Sequence, residues 1–338
     1  MAEQLRVGII GCGKIAHVDH APGYNTIPGV KIVALMDILP KKIRSLQKAH
    51  APDAEGYTDL EKFLASGLDA VSVCTPNYLH CSQTVAALKA GLHVLCEKPM
   101  AATPADATKM IETARKMGKV LQINHTLHYI PIFRRAAEIV QAGTIGTPIH
   151  VRCVRSGGST PDKGWSPGAK WFVTKACAGG IILDIGVHMA EIMQTIAGKI
   201  AEIAAYTDIR TKTIDVVDNA TALMRFENGA TGVLELSWTT PVGAMLMEVY
   251  GTRGTMRLFF NKENPLEVLL PGKQKTKVLY PKLKKLPHSQ LCFINAIRGK
   301  APSPTPGELG REAVALCDAI ARSGATRRFV PVQKFEEA

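Results

Sequence analysis

Apolar runs of strand length alternate with segments of helical spacing over the first 125 residues of the chain. Strands are predicted over residues 5–10, 30–36, 68–74, 93–98 and 120–125, and helices over residues 43–49, 60–64, 77–90 and 104–117. Strand–helix repetition with short connections is typical of a doubly wound parallel sheet that is covered by helices on both faces. Because the first strand starts so close to the N-terminus, no room is left for a signal peptide.

After about residue 125 the pattern changes to longer segments in which apolar and polar residues alternate. A helix is predicted over residues 132–142, followed by strands over residues 149–155, 200–209, 219–226, 231–238, 245–250 and 255–260, a helix over 309–323 and an edge strand over 328–331. The pair Asn228-Gly229 is a strong signal for a hairpin turn. This pattern predicts an α+β domain built on a largely antiparallel sheet, with one face apolar enough for assembly.

Composition narrows the class of protein without naming it. The chain has 338 residues, of which 46% are hydrophobic, and a formal net charge of +12. Its basic blocks at residues 41–44 and 273–285 lack interleaved stacking aromatics, so we interpret them as solvated surface, or as attracting an acidic substrate or partner, rather than as a nucleic-acid site. The eight cysteines are scattered without a C-x-x-C pair, which favours reduced thiols in a cytoplasm over disulfides or zinc. The sequence contains no run of about 18 uncharged apolar residues, so we predict no membrane span.

A glycine-rich turn, Gly11-Cys12-Gly13-Lys14-Ile15-Ala16, follows the first strand and opens a helix. In such a turn Gly11 permits the tight bend, Gly13 lets the backbone approach a pyrophosphate, and Ala16 lets helix and strand pack closely. The phosphates then lie at the N-terminus of the helix. The motif predicts a dinucleotide site because a strand precedes it, a helix follows it and a second strand comes next.

The second strand ends in Asp37, followed by Ile38. An acid in this place accepts hydrogen bonds from the adenosine ribose and repels a 2′-phosphate, which favours NAD over NADP. A helix-capping aspartate is the structural alternative, and the nearby Lys41 and Lys42 keep NADP open.

Lys98 lies where the strand beginning at His93 ends, because Pro99 cannot continue a sheet ladder. The carboxyl ends of strands are where open parallel sheets bind ligands. A lysine there could exchange a proton with a nearby hydroxyl group. The alternative is a surface lysine that ends a strand.

In the second half, two adjacent glycines, Gly179 and Gly180, precede an aspartate and a histidine four residues apart, Asp184 and His188. A spacing of four puts both side chains on one face of a helix. They could act as an orienting carboxylate and a general base, or as two metal ligands. A buried histidine satisfied by a nearby acid is the structural alternative.

Taken together, the motifs resemble those of one family, the glucose–fructose oxidoreductase and inositol dehydrogenase (Gfo/Idh/MocA) family. The resemblance runs over residues 8–330 and rests on the glycine turn at 11–13, Thr75-Pro76-Asn77-Tyr78-Leu79-His80, Glu97-Lys98-Pro99, Trp171-Phe172 and Gly179-Gly180 with Asp184 and His188. It implies an α/β fold with an NAD-binding Rossmann domain, a doubly wound parallel sheet, over residues 1–125. It also implies a C-terminal α+β domain with a large, mostly antiparallel open sheet over residues 126–338, which binds substrate and packs in homodimers or homotetramers.

The resemblance further implies a nicotinamide site ringed by Lys98, Asp184 and His188. In this interpretation His188 is the base, Lys98 stabilises charge or relays the proton, and Asp184 orients the substrate hydroxyl or the histidine. The residues predicted to contact the cofactor are Gly11, Gly13, Lys14, Ile15, Asp37, Ile38, Thr75, Pro76, Asn77, His80, Glu97, Lys98, Asn124 and Trp171. No metal ligand is predicted.

The predicted substrate is a sugar, a sugar derivative or a cyclitol. Its candidate contacts are Lys98, His125, Arg155, Trp165, Lys170, Asp184 and His188. Trp165 and Trp171 stand on a loop rich in glycine and proline, where an aromatic ring could lie over a sugar ring, although core packing is equally open to both. Where family members often have an arginine-bearing strand end, this chain has residues 124–128, Asn-His-Thr-Leu-His, and that difference bears on substrate identity.

Three functions are compatible with these residues. The first is an NAD-dependent dehydrogenase that transfers a hydride between a secondary hydroxyl and nicotinamide C4. The second is a redox-neutral glycosidase or lyase of the same family, in which tightly bound NAD transiently oxidises and re-reduces the sugar. A non-catalytic NAD-binding regulator is the third, disfavoured because Lys98, Asp184 and His188 are all present.

Overall fold

The computed structural model describes residues 4–259 and 263–335 and divides into two compact units. The first consists of the described residues of Met1–Thr126 together with Pro287–Arg311, and the second of Leu127–Leu286 with the described residues of Glu312–Ala338. The predicted domains, with one boundary after residue 125, stay a prediction. The contacts divide the chain close to that boundary and, in addition, return residues 287–311 to the first unit.

The first unit contains a six-stranded sheet in which every neighbouring pair is parallel. Its strands are β1 (Leu5–Ile10), β2 (Val30–Met36), β3 (Glu55–Tyr57), β4 (Ala70–Val73), β5 (His93–Glu97) and β6 (Leu121–Asn124). Their order across the sheet is β3-β2-β1-β4-β5-β6. This is the predicted doubly wound sheet. Only β3 was not predicted, because its three residues are too short and too exposed to show a period.

The second unit contains a nine-stranded sheet with the order β14-β13-β12-β11-β7-β10-β9-β8-β15. The strands are β7 (Pro148–Ser156), β8 (Ile200–Asp208), β9 (Asn219–Phe226), β10 (Thr231–Ser237), β11 (Met245–Gly251), β12 (Gly254–Phe259), β13 (Leu266–Leu270), β14 (Lys277–Leu279) and β15 (Val330–Pro331). All neighbours are antiparallel except β7 and β10, as the prediction of a mostly antiparallel sheet requires. The predicted hairpin at Asn228-Gly229 joins β9 to β10, and Gly229 has φ +86°. Phe260, predicted to end a strand, lies outside the described residues.

The α-helices of the described residues flank these sheets. They are α1 (Ala21–Asn25), α2 (Pro40–His50), α3 (Leu60–Leu64), α4 (His80–Lys89), α5 (Pro104–Met117), α6 (Pro131–Gln141), α7 (Val187–Ala197), α8 (Ser289–Ile297) and α9 (Gly307–Thr326). Sequence sets their ends: α5 begins where the Thr103 hydroxyl accepts a hydrogen bond from the Asp106 amide, and it ends at Gly118 in the left-handed conformation. Both α1 and α7 continue a π-helical turn, Ala16–His20 and Ile182–Gly186 respectively.

The core of the second unit lies between one face of its sheet and helices α6, α7 and the C-terminal part of α9. Along β9, Ala220, Ala222, Met224 and Phe226 are buried while the residues between them are exposed or half-buried, as strand alternation requires. The segment Lys175–Ala197 has the length and mean hydropathy of a membrane span, but 61% of its most apolar window is buried inside the protein. We therefore interpret it as a core helix.

Candidate active site

The glycine turn after β1 is held tightly between the ends of two neighbouring strands. The Gly11 amide donates to the Met36 carbonyl at 2.7 Å, and the Cys74 amide donates to the Ile10 carbonyl at 2.7 Å. Gly11 has φ +92°, and a Cβ on it would lie 2.7 Å from the Cys74 carbonyl oxygen. Glycine is therefore required here for both conformation and space.

Gly13 differs from Gly11, because a Cβ built on it would meet nothing within 4 Å. It lies at the first turn of the helix, where its carbonyl accepts the His17 amide, and Lys14 next to it is exposed while Ile15 is half-buried. An open backbone at a helix N-terminus is what a pyrophosphate needs. The turn therefore fits the dinucleotide that its sequence predicts.

Asp37 stands at the end of β2, beside the glycine turn. One carboxylate oxygen accepts the Cys12 amide at 2.9 Å, and the other accepts the Leu39 amide at 2.9 Å. Asp37 is 7% exposed, whereas the following Ile38 is 78% exposed. The carboxylate thus helps to shape the turn, and its contact with a ribose stays a prediction.

The ends of β4 and β5 are joined by His80 at the start of α4. Its ring nitrogens lie 2.7 Å from the Thr75 and Pro99 carbonyl oxygens. Burial lowers the pKa of His80, so near neutral pH the ring donates one N–H at a time to these carbonyls. Thr75 also donates from its hydroxyl to Gln83 at 2.6 Å, Pro76 is half-buried and Asn77 is buried.

Lys98 follows directly on β5, as predicted, and is half-buried between buried neighbours on both sides. Since β1, β2, β4 and β5 are parallel, the turn at Gly13, Asp37, Thr75 and Lys98 all lie along the carboxyl edge of one sheet. This edge combines a backbone cradle, a carboxylate and an amine.

The second unit holds Asp184 in the π-helical turn and His188 in the first turn of α7. Asp184 is 8% exposed and His188 is half-buried. Arg155, at the end of β7, is electrostatically coupled to Asp184: burial lowers the pKa of Arg155, and the Asp184 carboxylate opposes that shift. A Cβ on Gly179 would lie 2.4 Å from the Phe172 carbonyl oxygen, so the first glycine does permit the predicted close approach of another backbone.

The loop after β7 is organised around Asp162. This carboxylate accepts hydrogen bonds from the Thr160 hydroxyl at 2.6 Å and from the Lys170 amine at 2.7 Å. Burial alone would raise the pKa of Asp162, but these two donors lower it below its usual value. Trp165 is 46% exposed, while Trp171 is half-buried and stacks on Phe172 with ring centroids 3.6 Å apart. Trp165 is thus exposed, Trp171 is largely used in packing, and the contact of either ring with a ligand stays a prediction.

Comparison with known proteins identifies the family. A model described as an oxidoreductase family with an NAD-binding Rossmann fold matches residues 5–125, and the GFO/IDH/MocA C-terminal domain model matches residues 133–257, together well over half of the chain. The chain belongs to the GFO/IDH/MocA oxidoreductase family. It is an NAD-binding oxidoreductase, and the Rossmann match coincides with the sheet that carries the glycine turn.

Similar members of the GFO/IDH/MocA family span the whole chain. Myo-inositol 2-dehydrogenase of Thermotoga maritima is 28% identical over 98% of this chain and 99% of the relative, and 1,5-anhydro-D-fructose reductase of Ensifer adhaerens is 28% identical over 97% and 98%. Among solved structures, GenD2 from gentamicin A biosynthesis, in complex with NAD, is 26% identical with a TM-score of 0.85, covering 99% of this chain and 98% of that one. The WlbA dehydrogenase of Bordetella pertussis, 23% identical with a TM-score of 0.87 and coverage of 98% and 100%, shows the same fold.

Two histidine–glutamate pairs, one buried and one partly buried, were missed from the sequence. His20 bonds to Glu97 of the Glu-Lys-Pro motif at 2.8 Å, and His128 bonds to Glu191 of α7 at 2.8 Å. Neither pair has a spacing that sequence reasoning could use, because 77 and 63 residues separate the partners. His20 lies in a segment that also contains His17 and Asp19, so its sequence neighbours gave no signal that it would be buried.

Three residues of this GFO/IDH/MocA chain that are predicted to contact the cofactor or substrate are almost completely buried, so little of their surface is accessible to a ligand. Glu97 is 6% exposed, Asn124 0% and His125 1%. The Asn124 amide donates to Glu97 at 2.6 Å and to Asp19 at 2.9 Å. Their contact with cofactor or substrate stays a prediction, and Glu97 and Asn124 already have partners inside the first unit.

Proposed function

We propose that this protein is an NAD-dependent oxidoreductase that transfers a hydride between a secondary hydroxyl of a sugar, sugar derivative or cyclitol and the cofactor. The observation that carries the proposal is the single sheet edge with the open turn at Gly13, the carboxylate of Asp37 and the amine of Lys98. The activities after which two relatives are named, an inositol dehydrogenase and an anhydrofructose reductase, support this class of substrate.

Each residue has a distinct role in the proposed reaction. Bound NAD supplies the hydride acceptor or donor, which side chains cannot provide. His188 takes the hydroxyl proton as general base, because an unperturbed imidazole titrates near working pH. Lys98 stabilises negative charge on the substrate oxygen or relays its proton, and Asp184 orients the hydroxyl or His188.

Substrate binding is assigned to a second group of side chains. We propose His125, Arg155, Trp165 and Lys170 as further substrate contacts. Trp165 is the best placed for stacking because almost half of it is exposed. Lys170 is held by Asp162, so we expect it to act together with its loop rather than as an independent cation.

The proposal is tested by following NADH absorbance while the purified protein is presented with NAD and a panel of hexoses, sugar acids, nucleotide sugars and inositols. A net dehydrogenase produces NADH with at least one of them. In the redox-neutral alternative no NADH accumulates, yet a glycoside is cleaved and chromatography detects the released sugar. Absence of both reactions, with NAD bound, would contradict an enzymatic role.

Cofactor choice is predicted to follow Asp37. Replacing it with Ser or Ala removes the ribose acceptor and the charge that repels a 2′-phosphate, so NAD binding weakens and discrimination against NADP relaxes. Asp37→Asn is the matched control, because it can keep one acceptor for the Cys12 or Leu39 amide while losing the charge. Titration of both cofactors measures the effect, and a wild-type preference for NADP of about tenfold or more would contradict this interpretation.

We also propose a homodimer or homotetramer in the cytoplasm, assembled through the outer face of the nine-stranded sheet. That face combines apolar residues such as Leu223 with ion pairs, Arg152 with Glu235 at 2.8 Å and Arg257 with Glu248 at 3.0 Å. Such a mixture suits a protein interface, because interfaces as a whole are about as apolar as the rest of a protein surface. Light scattering at micromolar concentration measures the assembly, and a monomer would count against it.

A further inference from the structure

His20 is fully buried at the end of the π-helical turn that follows the glycine motif. Its Nδ1 lies 2.9 Å from the Ser72 hydroxyl, and its Nε2 lies 2.8 Å from Oε1 of Glu97. Ser72 in turn contacts the Tyr24 hydroxyl at 2.8 Å. A π turn adds one residue per turn relative to an α-helix, and such insertions are frequent at functional sites.

Glu97 is bound by three donors that come from three directions. His20 and the Asn124 amide, at 2.6 Å, reach Oε1, while the backbone amide of Lys98 reaches Oε2 at 3.2 Å. Its carboxylate is therefore turned towards the interior. The residue after β5 is thus tied both to the helix after β1 and to the end of β6.

His20 and Glu97 each stabilise the charged form of the other. Burial alone would lower the pKa of His20, but the Cys74 sulfur and the Glu97 carboxylate raise it well above 6.5. Burial alone would raise the pKa of Glu97, but His20, Asn124 and Lys98 lower it below 4.5. Near neutral pH the imidazolium and the carboxylate are therefore both charged and balance each other, with Asp19 3.9 Å from His20 at the edge of the cluster.

We propose that His20 and Glu97 are positioning residues, a buried ion pair that fixes the backbone at Lys98 and neutralises the carboxylate beside it. The inference rests on the proposed function, in which Lys98 acts on the substrate oxygen. Fixing the backbone limits the region that the amine at the end of the flexible Lys98 side chain can reach, which favours orientation in catalysis. Neutralising Glu97 keeps an unbalanced negative charge away from the Lys98 ammonium.

A cation held by Asp19, His20 and Glu97 would be a different use of the same atoms, which lie within 4.8 Å of one another. The hydrogen bonds favour the ion pair, because the Asn124 amide donates to both carboxylates and occupies lone pairs that a cation would need. Loss of wild-type turnover after dialysis against a chelator, restored by a divalent cation, would overturn the proposal.

Four variants separate geometry from charge. His20→Ala removes both, His20→Gln keeps a neutral donor for Glu97, Glu97→Gln removes the carboxylate, and Tyr24→Phe removes only a hydroxyl that lies beyond Ser72. We expect His20→Ala and Glu97→Gln to lose about tenfold or more in kcat, the scale of a buried charged hydrogen bond. The Kd of His20→Ala for NAD should change by less than about threefold, and His20→Gln should recover much of kcat at its optimum pH.

The combined variant His20→Ala/Glu97→Gln should be no worse than the more damaging single change, because the two groups act as a unit. Tyr24→Phe should keep wild-type kcat. Equal losses of kcat in all variants, in proportion to falling melting temperature, would reduce the pair to a structural role and overturn the proposal.

The decisive readout does not need a substrate. The rate at which trinitrobenzenesulfonate labels Lys98, followed by peptide mass spectrometry against pH, should move to higher pH by about one unit in His20→Gln, because the uncompensated Glu97 carboxylate retains the ammonium proton. Tyr24→Phe should show no shift. An unshifted labelling profile in His20→Gln overturns the inference even if turnover is found, whereas a shifted profile without turnover of any sugar counts against the proposed function alone.

Discussion

Replacing Lys98 or His188 with alanine is expected to lower turnover by at least about two orders of magnitude, while the affinity for NAD changes only modestly. General acid–base groups contribute about 10²–10⁴-fold to rate because they act while charge develops in the transition state. Lys98 and His188 are both half-buried, so each retains a surface through which a substrate could reach it. Single-turnover kinetics and NAD titration by fluorescence on the same preparations measure the two quantities.

Their combined effect tests whether they serve one proton path. Groups that act as a unit show effects that do not multiply, so Lys98→Ala/His188→Ala should be little slower than the slower single variant. Matched controls are Lys89→Ala at the exposed end of α4 and His150→Ala on β7, whose ring lies 2.8 Å from the Thr231 hydroxyl. Both controls should keep full turnover.

A structural role for His188 gives the opposite pattern. It lies in the first turn of a helix whose other side chains are mostly buried, so loss of packing would lower the melting temperature. Turnover per folded molecule would then be nearly unchanged. Full activity in a well-folded His188→Ala protein would end its proposed role as base.

The alternation of apolar runs and helical spacing was sufficient to predict the parallel sheet apart from β3, since its other strands are apolar runs buried along most of their length. It did not predict β3, β13 or β14: β3 and β14 have only three, mostly exposed residues each, and β13 has only five. Helix α8 was missed for a different reason. Its nine residues carry no charge, so their sequence does not distinguish an apolar loop from a helix that packs on α1 and β5 of the first unit.

The residues of the candidate site also differ in whether the local sequence or only the folded structure identifies them. Residues set by local chemistry were found from the sequence: Gly11 by its turn, Asp37 by the end of a strand and Lys98 by the following proline. Glu97 was assigned to the cofactor because of its motif, but its bonds to His20 and Asn124 depend on strands brought together only by folding. The π turn that places His20 cannot be read from a helical period, because it is a local departure from that period.

The two glycines of the first turn are expected to fail in different ways when changed to alanine. In Gly11→Ala the new Cβ meets the backbone at 2.7 Å from the Cys74 oxygen and 2.8 Å from its carbon, at φ +92°. Neither neighbour is a flexible side-chain end, so the strand ends must separate. We expect a loss of about 3 kcal/mol in the free energy of unfolding, the sum of a strained backbone and an overpacked site.

Gly13→Ala should leave stability unchanged or slightly higher, because its Cβ has open space and the residue lacks a positive φ. If a pyrophosphate lies against this backbone, however, the same methyl group occupies the space that the phosphates need, and NAD should bind at least about tenfold more weakly. Denaturant unfolding without cofactor and NAD titration separate the two effects. A Gly13→Ala protein that binds NAD as the wild type does would show that the cofactor is held elsewhere, since removing open space at the helix N-terminus cannot be neutral to a phosphate bound there.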